Sequence, residues 1–165
     1  MKSRHLGASV VAILGLSLAL NALAHGDANG HDDGAQQDEH AATLGEPGDP
    51  AKVSRTINVT MSDAMRFQPD KLSVKRGETI RFKVNNTGKI KHEMVLGTIK
   101  ELKEHAALMR KFPEMEHADP NQISVGPGET GELIWQFTRA GTFDFACLVP
   151  GHFEAGMKGK VAVKR

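Results

Sequence analysis

The stretch Thr142–Lys164, TFDFACLVPGHFEAGMKGKVAVK, decides how this chain folds and what it binds. Phe143, Phe145 and Cys147 alternate along TFDFAC, and KVAVK has the same period of two, so both segments are predicted to be strands with one buried face. The loop between them carries cysteine, histidine and methionine, and the cysteine is the only one in the chain. This loop therefore unites a strand pair with three potential metal ligands.

Other short segments with the same alternation precede this stretch. They are TINVT, KLSVK, TIRFKV, HEMVLG and ELIWQF. The glycine of KRGE suits a turn that needs positive φ, so Leu72–Val84 is predicted to be a hairpin. Repeated short strands separated by glycine- and proline-containing turns indicate an all-β fold, a β-sandwich or barrel.

One segment breaks the strand pattern. In TIKELKEHAALMRKFPEMEHADP, Leu102, Leu108 and Met109 recur at roughly helical spacing, and Pro113 should end or kink the helix. We expect a short helical excursion at about 98–122, with the helix itself at about Lys100–Lys111.

The N-terminal region has the features of an export signal. Two basic residues precede an apolar run and the sequence Ala22-Leu23-Ala24, which predicts a signal peptide over 1–24. The run is shorter than the roughly 20 residues of a membrane span, so a retained anchor is disfavoured and no span is expected after cleavage. Residues 25–51 are predicted to be a flexible acidic, histidine-containing tail, and 52–165 one domain.

Charge is distributed unevenly between these parts. The predicted tail carries seven carboxylates and no lysine or arginine, whereas the domain has 19 basic and 13 acidic residues. The basic residues are dispersed and aromatic residues make up 5% of the chain, which disfavours nucleic-acid binding.

The single cysteine is informative because exported proteins usually pair their cysteines. Its thiol is therefore buried, reactive, intermolecular or metal-bound. Cys147, His152 and Met157 follow a C-x4-H-x4-M pattern of soft and borderline ligands that suits copper, and the trigonal geometry of a blue-copper site requires a second histidine. Of the other histidines in the domain, His92 opens an apolar strand, whereas His105 lies in the polar excursion with His117.

The sequence from about Val53 to Lys164 resembles the cupredoxins, the small blue-copper proteins. The resemblance implies a Greek-key sandwich and one type 1 copper bound by His92, Cys147, His152 and Met157. The loop spacing is similar to azurin and rusticyanin, and the export signal with KHEMVLG resembles periplasmic cupredoxins of copper tolerance. Glu93 departs from the family, which usually has asparagine after the first histidine and uses it to pin the ligand loops together.

Several further residues are weaker metal candidates. Met94 lies on the strand face of His92, although core packing is favoured for it. The tail histidines can bind a further copper ion weakly, or belong to a solvated linker: His25, His31 and His40. The excursion also contains four residues that could form a second soft-metal site: His105, Met109, Met115 and His117. An exposed helix without a metal is the favoured interpretation of this segment.

Three functions were weighed. The favoured one is a periplasmic copper protein for tolerance and homeostasis with a redox-active copper, and the alternative is a dedicated electron-transfer protein. Lysines near the ligands would steer an acidic redox partner: Lys89, Lys91, Lys158 and Lys160. An enzyme with Cys147 as nucleophile and His152 as base lacks an orienting third group, so no enzymatic activity is expected. The protein is expected to be a monomer.

Overall fold

Two five-stranded sheets form the structure, a computed structural model that describes residues 44–113 and 119–165. The strands are β1 (Glu46–Pro47), β2 (Arg55–Ser62), β3 (Arg66–Gln68), β4 (Lys71–Lys75), β5 (Thr79–Asn86), β6 (His92–Gly97), β7 (Gln122–Val125), β8 (Thr130–Gln136), β9 (Gly141–Ala146) and β10 (Lys158–Lys164). One sheet has the order β1-β8-β5-β2-β3 and the other β4-β10-β9-β6-β7. The predicted all-β sandwich is confirmed.

The core lies between the two sheets because alternate side chains of most strands point inward. Phe82 and Val84 of β5 and Trp135 of β8 come from the first sheet, and Phe145 and Val161 from the second. All five are fully buried. At roughly 1.5–3 kcal/mol for each large apolar side chain removed from water, this layer supplies the main stabilisation that holds the sheets face to face.

The predicted hairpin over Leu72–Val84 is wrong, because its two strands lie in different sheets. β4 pairs in parallel with β10, whereas β5 pairs with β2 and β8. The turn between them spans the sandwich: Arg76 donates its backbone N–H to the carbonyl of Lys164, and Gly77 donates to Phe137. Alternating burial looks the same for a strand on either sheet, so the pattern alone does not identify the partner.

The predicted helix is present as α1, Ile99–Lys111. Thr98 caps its N-terminus, and Glu101 completes a capping box by accepting the Thr98 backbone N–H at 2.7 Å. Leu102, Ala106 and Met109 pack against the outer face of the second sheet, where a separate apolar cluster forms. This cover accounts for the burial of Val95 on the outer face of β6, while Met94 and Leu96 are buried in the core between the sheets.

α1 also contacts the loop that follows β9. Phe153 packs against the same outer cluster, and Arg110 forms an ion pair with Glu154. The helix thus braces the outer side of the loop that carries the predicted ligands.

Part of the predicted tail belongs to the folded body. Leu44 is buried, and β1 pairs with β8 although it was placed within the tail. Leu44 is the one large apolar side chain between residues 25 and 51, so it alone offers an anchor. At Gly45, φ is 153° and an added Cβ would lie 1.9 Å from the Gln136 carbonyl oxygen, so the close contact requires glycine.

Among the residues described, no helix has the length and apolar character needed to cross a membrane.

Candidate metal centre

The loop between β9 and β10 folds back on itself, so that its two ends lie side by side. Cys147 donates its backbone N–H to the carbonyl of Met157 at 3.1 Å, which extends the β9–β10 ladder by one pair. Inside the loop, His152 donates to Val149 and Met157 donates to His152. Gly151 and Gly156 have φ values of 88° and 94°, which a side chain would strain. The loop is therefore a compact unit that presents His152 towards Cys147.

Three donor atoms converge in this unit. The Nδ1 atom of His152 lies 3.2 Å from Cys147 Sγ and 3.2 Å from His92 Nδ1. All three donors lie within 4.8 Å of one another, and all three residues are buried. His92 and Cys147 have no exposed surface, whereas His152 retains 8%. The donors are thus close enough to share one ion, and His152 is the one nearest to solvent.

The far side of the His92 ring contacts a carboxylate. Asp63 Oδ1 lies 3.1 Å from His92 Nε2, and its other oxygen accepts the Lys89 backbone N–H at 2.8 Å. The Lys89 N–H holds the pKa of Asp63 below its usual value, and the bond to His92 lowers that pKa further. An ionised Asp63 accepts a hydrogen bond from Nε2–H, which leaves the Nδ1 lone pair of His92 free to bind a metal.

Glu93 links three parts of the site. Its buried carboxylate accepts the Leu148 backbone N–H at 2.9 Å and the Ser124 hydroxyl at 3.4 Å. Its own backbone N–H donates to Cys147 Sγ at 3.4 Å. Glu93 therefore connects β6 to β7 and to the ligand loop, which is the pinning task that the resemblance implies for an asparagine.

Asn86 fixes the segment that leads into His92. Its buried amide donates to the carbonyls of Ile90 and Val125, at 2.8 and 3.0 Å, and its oxygen accepts the Gly88 N–H. The turn before β6 is thereby attached to β7, which holds the start of β6 in place.

Burial dominates the electrostatics of the donors. It raises the pKa of Cys147 to about 12 from an ordinary value of 9.0; backbone N–H donation from Glu93 opposes this rise, and the Glu93 charge adds to it. Burial also lowers the pKa of His152, with a further decrease from His92. The metal-free site therefore holds a neutral thiol and a neutral His152 imidazole.

This donor set fits copper. One thiolate sulfur and two imidazole nitrogens in a buried cluster are the ligands of a trigonal His2Cys site, while hard ions prefer oxygen ligands. A bound cation reverses the effect of burial on the thiol, because it stabilises the thiolate directly. His92, Cys147 and His152 are thus positioned to hold copper as in type 1 sites.

The two methionines near the donors differ in their connections. Met157 is fully buried in the core between the sheets and is paired through its carbonyl with Cys147. Met94 is also fully buried there, two residues after His92 on β6. Both side chains belong to the core cluster that contains Cys147, so either could supply a thioether to a metal bound there.

Two further candidate ligands lie within the described residues and outside this site. Met109 packs on the sheet as part of α1, and His105 lies on the same helix outside the donor group. The remaining candidates lie outside the described residues: His25, His31, His40, Met115 and His117.

Asp63 and Asn86 were missed by the sequence reasoning. Asp63 lies 29 residues before its partner, in a turn between β2 and β3, and nothing in its local sequence marks it. Asn86 lies in the stretch NNTG, whose asparagines and glycine are typical of an ordinary turn and do not mark a structural role. Their roles depend on pairing between distant strands, and correlated substitutions among homologues are the kind of signal that reports such pairing.

Copper binding should release protons in a predictable number. At pH 8 the thiol, with its pKa of about 12, must lose one proton to bind as thiolate, whereas His152, with its lowered pKa, has almost none to lose. We expect about one proton per chain, and a Cu(II) affinity that rises about tenfold per pH unit below the thiol pKa. Calorimetric titration in buffers of different ionisation enthalpy measures this number; a value near zero would contradict thiolate binding.

Comparison with known proteins gives concordant results. The family model for copper binding proteins of the plastocyanin/azurin family matches residues 53–164. The copper-resistant cuproprotein CopI of Rubrivivax gelatinosus is 51% identical over 169 residues, covering 99% of this chain and 100% of that protein. CopI of Pseudomonas aeruginosa is 35% identical over 154 residues, covering 76% of this chain and 84% of its own.

Among solved structures, auracyanin B superposes with a TM-score of 0.61 at 21% identity, over 73% of this chain and 95% of its own. At that identity the likeness concerns the fold, and it agrees with the two-sheet architecture described above.

Proposed function

The chain belongs to the plastocyanin/azurin family of copper-binding proteins, and from this we propose that it is a periplasmic type 1 copper protein that contributes to copper tolerance. The observation that carries the proposal is the convergence of His92, Cys147 and His152 in one buried group. Two relatives named copper-resistant cuproprotein CopI support the tolerance role.

The site suits a metal that changes its oxidation state. Copper supplies a one-electron couple, Cu(II)/Cu(I), for which thiolate and imidazole are ligands in both states. Cys147 accepts a hydrogen bond from the Glu93 backbone on β6, and His92 contacts Asp63 in the turn between β2 and β3, so protein contacts hold both side chains in place. The chain thus excludes water from the centre and keeps the ligands preorganised, which permits redox cycling with little rearrangement.

We propose Met157 as the residue that would supply a weak thioether ligand, because it lies on the same loop as Cys147 and His152 and is fully buried in the cluster that contains Cys147. Met157→Leu is expected to raise the reduction potential, since removal of a weak sulfur donor destabilises Cu(II) more than Cu(I). Met94→Leu is the matched control, because it makes the same change in the same core layer. Voltammetry of both variants shows which methionine is the weak sulfur ligand. If Met94→Leu alone raised the potential, the ligand would be Met94 and the assignment to Met157 would be wrong.

Electron transfer to a partner protein is the second candidate function. His152 is the only one of the three donors with measurable exposure, and Lys89, Lys91 and Lys158 are exposed in the segments adjacent to the ligands. A positive rim around a buried ligand that keeps a small exposed edge suits transient docking of an acidic partner. In that case the main function of the copper would be to exchange electrons with the partner protein.

The predicted tail extends the tolerance proposal. His25, His31 and His40, among carboxylates, offer imidazoles that can bind copper weakly and pass it to the domain. The predicted signal peptide supports export without a retained membrane span. The protein is further proposed to act as a monomer that binds copper ions and catalyses no reaction of its own.

A genetic experiment tests the proposed function. A strain lacking this protein should become copper-sensitive, wild type should restore growth in copper, and Cys147→Ser should fail to restore it at equal protein level. Rescue by Cys147→Ser would contradict a tolerance role for the centre. Normal copper growth of the deletion strain, combined with a defect in respiration or another electron-transfer pathway, would favour the second function.

A further inference from the structure

We propose that Asp63 is a positioning residue that sets the tautomer and the donor strength of His92 and thereby lowers the reduction potential of the copper. The inference rests on the proposed copper site and adds a residue to it.

The geometry places Asp63 against the ring atom that does not face the other donors. Nε2 of His92 lies 3.1 Å from Asp63 Oδ1, while Nδ1 lies 3.2 Å from Nδ1 of His152. The His92 ring has no exposed surface, so Asp63 is the polar partner that the structure provides for Nε2. Ring orientation and tautomer are thus fixed by the same contact.

The position of the carboxylate is itself constrained. Its second oxygen accepts the Lys89 backbone N–H at 2.8 Å, so one oxygen is held by the turn and the other is directed to His92. At Gly88 an added Cβ would lie 2.0 Å from Asp63 Oδ1, so a side chain there would displace the carboxylate from its position beside His92. The Gly88 N–H is in turn bound by Asn86. The carboxylate beside the His92 ring is thus held in place by contacts with the turn that contains Gly88 and Lys89, and Asn86 in turn holds Gly88.

The chemical consequence follows from charge. A carboxylate that accepts a hydrogen bond from Nε2–H increases the electron density of the imidazole, which strengthens donation from Nδ1 to the metal. The negative charge also stabilises Cu(II) more than Cu(I), because the former carries the larger charge. Both effects lower the reduction potential, so removal of the carboxylate should raise it.

A purely structural role makes a different prediction. The Lys89 contact alone would make Asp63 a cap for the turn before β6, and its loss would reduce stability without a specific effect on copper. The reduction potential and the ratio of Cu(II) to Cu(I) affinity separate the two roles, because a turn cap affects neither in a defined direction.

The test compares Asp63→Asn and Asp63→Ala with wild type, and Asp70→Asn is the matched control. Asp70 lies in the loop after β3, its side chain is exposed, and its substitution removes the same charge. We expect Asp63→Ala to lower Cu(II) affinity by roughly 10- to 100-fold, Cu(I) affinity by less, and to raise the potential. Asp63→Asn retains a hydrogen-bond acceptor but loses the charge, so its Cu(II) affinity and reduction potential should lie between those of Asp63→Ala and wild type. Asp70→Asn should have the affinity and potential of wild type.

A second measurement uses the copper-free protein, so it does not depend on loading. Proton–nitrogen correlation spectra of the histidine rings should show the Nε2–H tautomer of His92 in wild type and a mixture of tautomers in Asp63→Ala. Unchanged tautomer and unchanged potential, with a lower melting temperature only, would overturn the proposal in favour of a turn cap. Failure of wild type to bind copper would instead overturn the proposed function, while the tautomer result would still stand.

Discussion

Replacement of Cys147 by serine is expected to abolish the intense visible thiolate-to-copper band of the Cu(II)-loaded protein. The band requires a sulfur ligand, and serine offers a hydroxyl that is not deprotonated at neutral pH. The loss of Cu(II) affinity should exceed the roughly 10- to 100-fold effect of removing an outer partner, because a direct ligand is lost. Absorption and electron paramagnetic resonance spectra of the titrated protein measure both effects.

The serine variant should still fold, which makes the comparison interpretable. Its hydroxyl can accept the Glu93 backbone N–H that Cys147 Sγ accepts, so no buried donor is left without a partner. The circular dichroism of the copper-free variant should match that of wild type. A full visible band in a correctly folded serine variant would show that copper binds elsewhere in the chain.

Replacement of His92 by alanine has the second largest expected effect. Of the three converging donors, only Cys147 and His152 would remain, both on the loop between β9 and β10. The cavity left by the His92 ring would admit water to the centre. We expect Cu(II) affinity to fall by more than about 100-fold, beyond the range for an outer partner, and the spectrum to lose its type 1 character. Equilibrium titration against a competing chelator quantifies the affinity.

His105→Ala is the matched control for this variant. His105 lies on α1 and is not one of the three converging donors. Its substitution should leave stoichiometry and spectrum as in wild type. If His105→Ala abolished the type 1 spectrum and His92→Ala left it unchanged, the assignment of His92 as a ligand would be wrong.

The strands could be predicted from sequence because alternation reports burial directly. TIRFKV became β5, and KVAVK became β10, with the expected faces inward. Which strands pair with each other could not be predicted from the sequence, as the wrong hairpin over Leu72–Val84 shows. Partner choice depends on contacts such as β4 with β10, which join residues about 90 positions apart, and local alternation contains no information about them.

The three-residue loop motif was predictable because its ligands are local and chemically distinctive. Cys147, His152 and Met157 lie within eleven residues, and glycines mark the turns between them. His92 required elimination among the domain histidines, and its position at the start of an apolar strand proved informative. The structure brings His92 to Cys147 and His152, while the ligand role of each residue remains a prediction for the experiments above.

The residues around the ligands were harder to predict. Glu93 was noticed only as a departure from the resemblance, and the structure shows its carboxylate bound to Leu148 and Ser124. Asp63 gave no signal at all, since its effect depends on a turn that brings β2 close to the start of β6. Polar groups of this kind are selected by geometry between elements, which a single sequence does not display.

A crystal structure of the copper-loaded protein, with anomalous data collected at the copper edge, tests the central claim most directly. We predict one strong anomalous peak per chain within bonding distance of Cys147 Sγ and of Nδ1 of both His92 and His152. A peak bound at His105, or copper held only by residues before Leu44, would contradict the assignment of this buried group as the copper site.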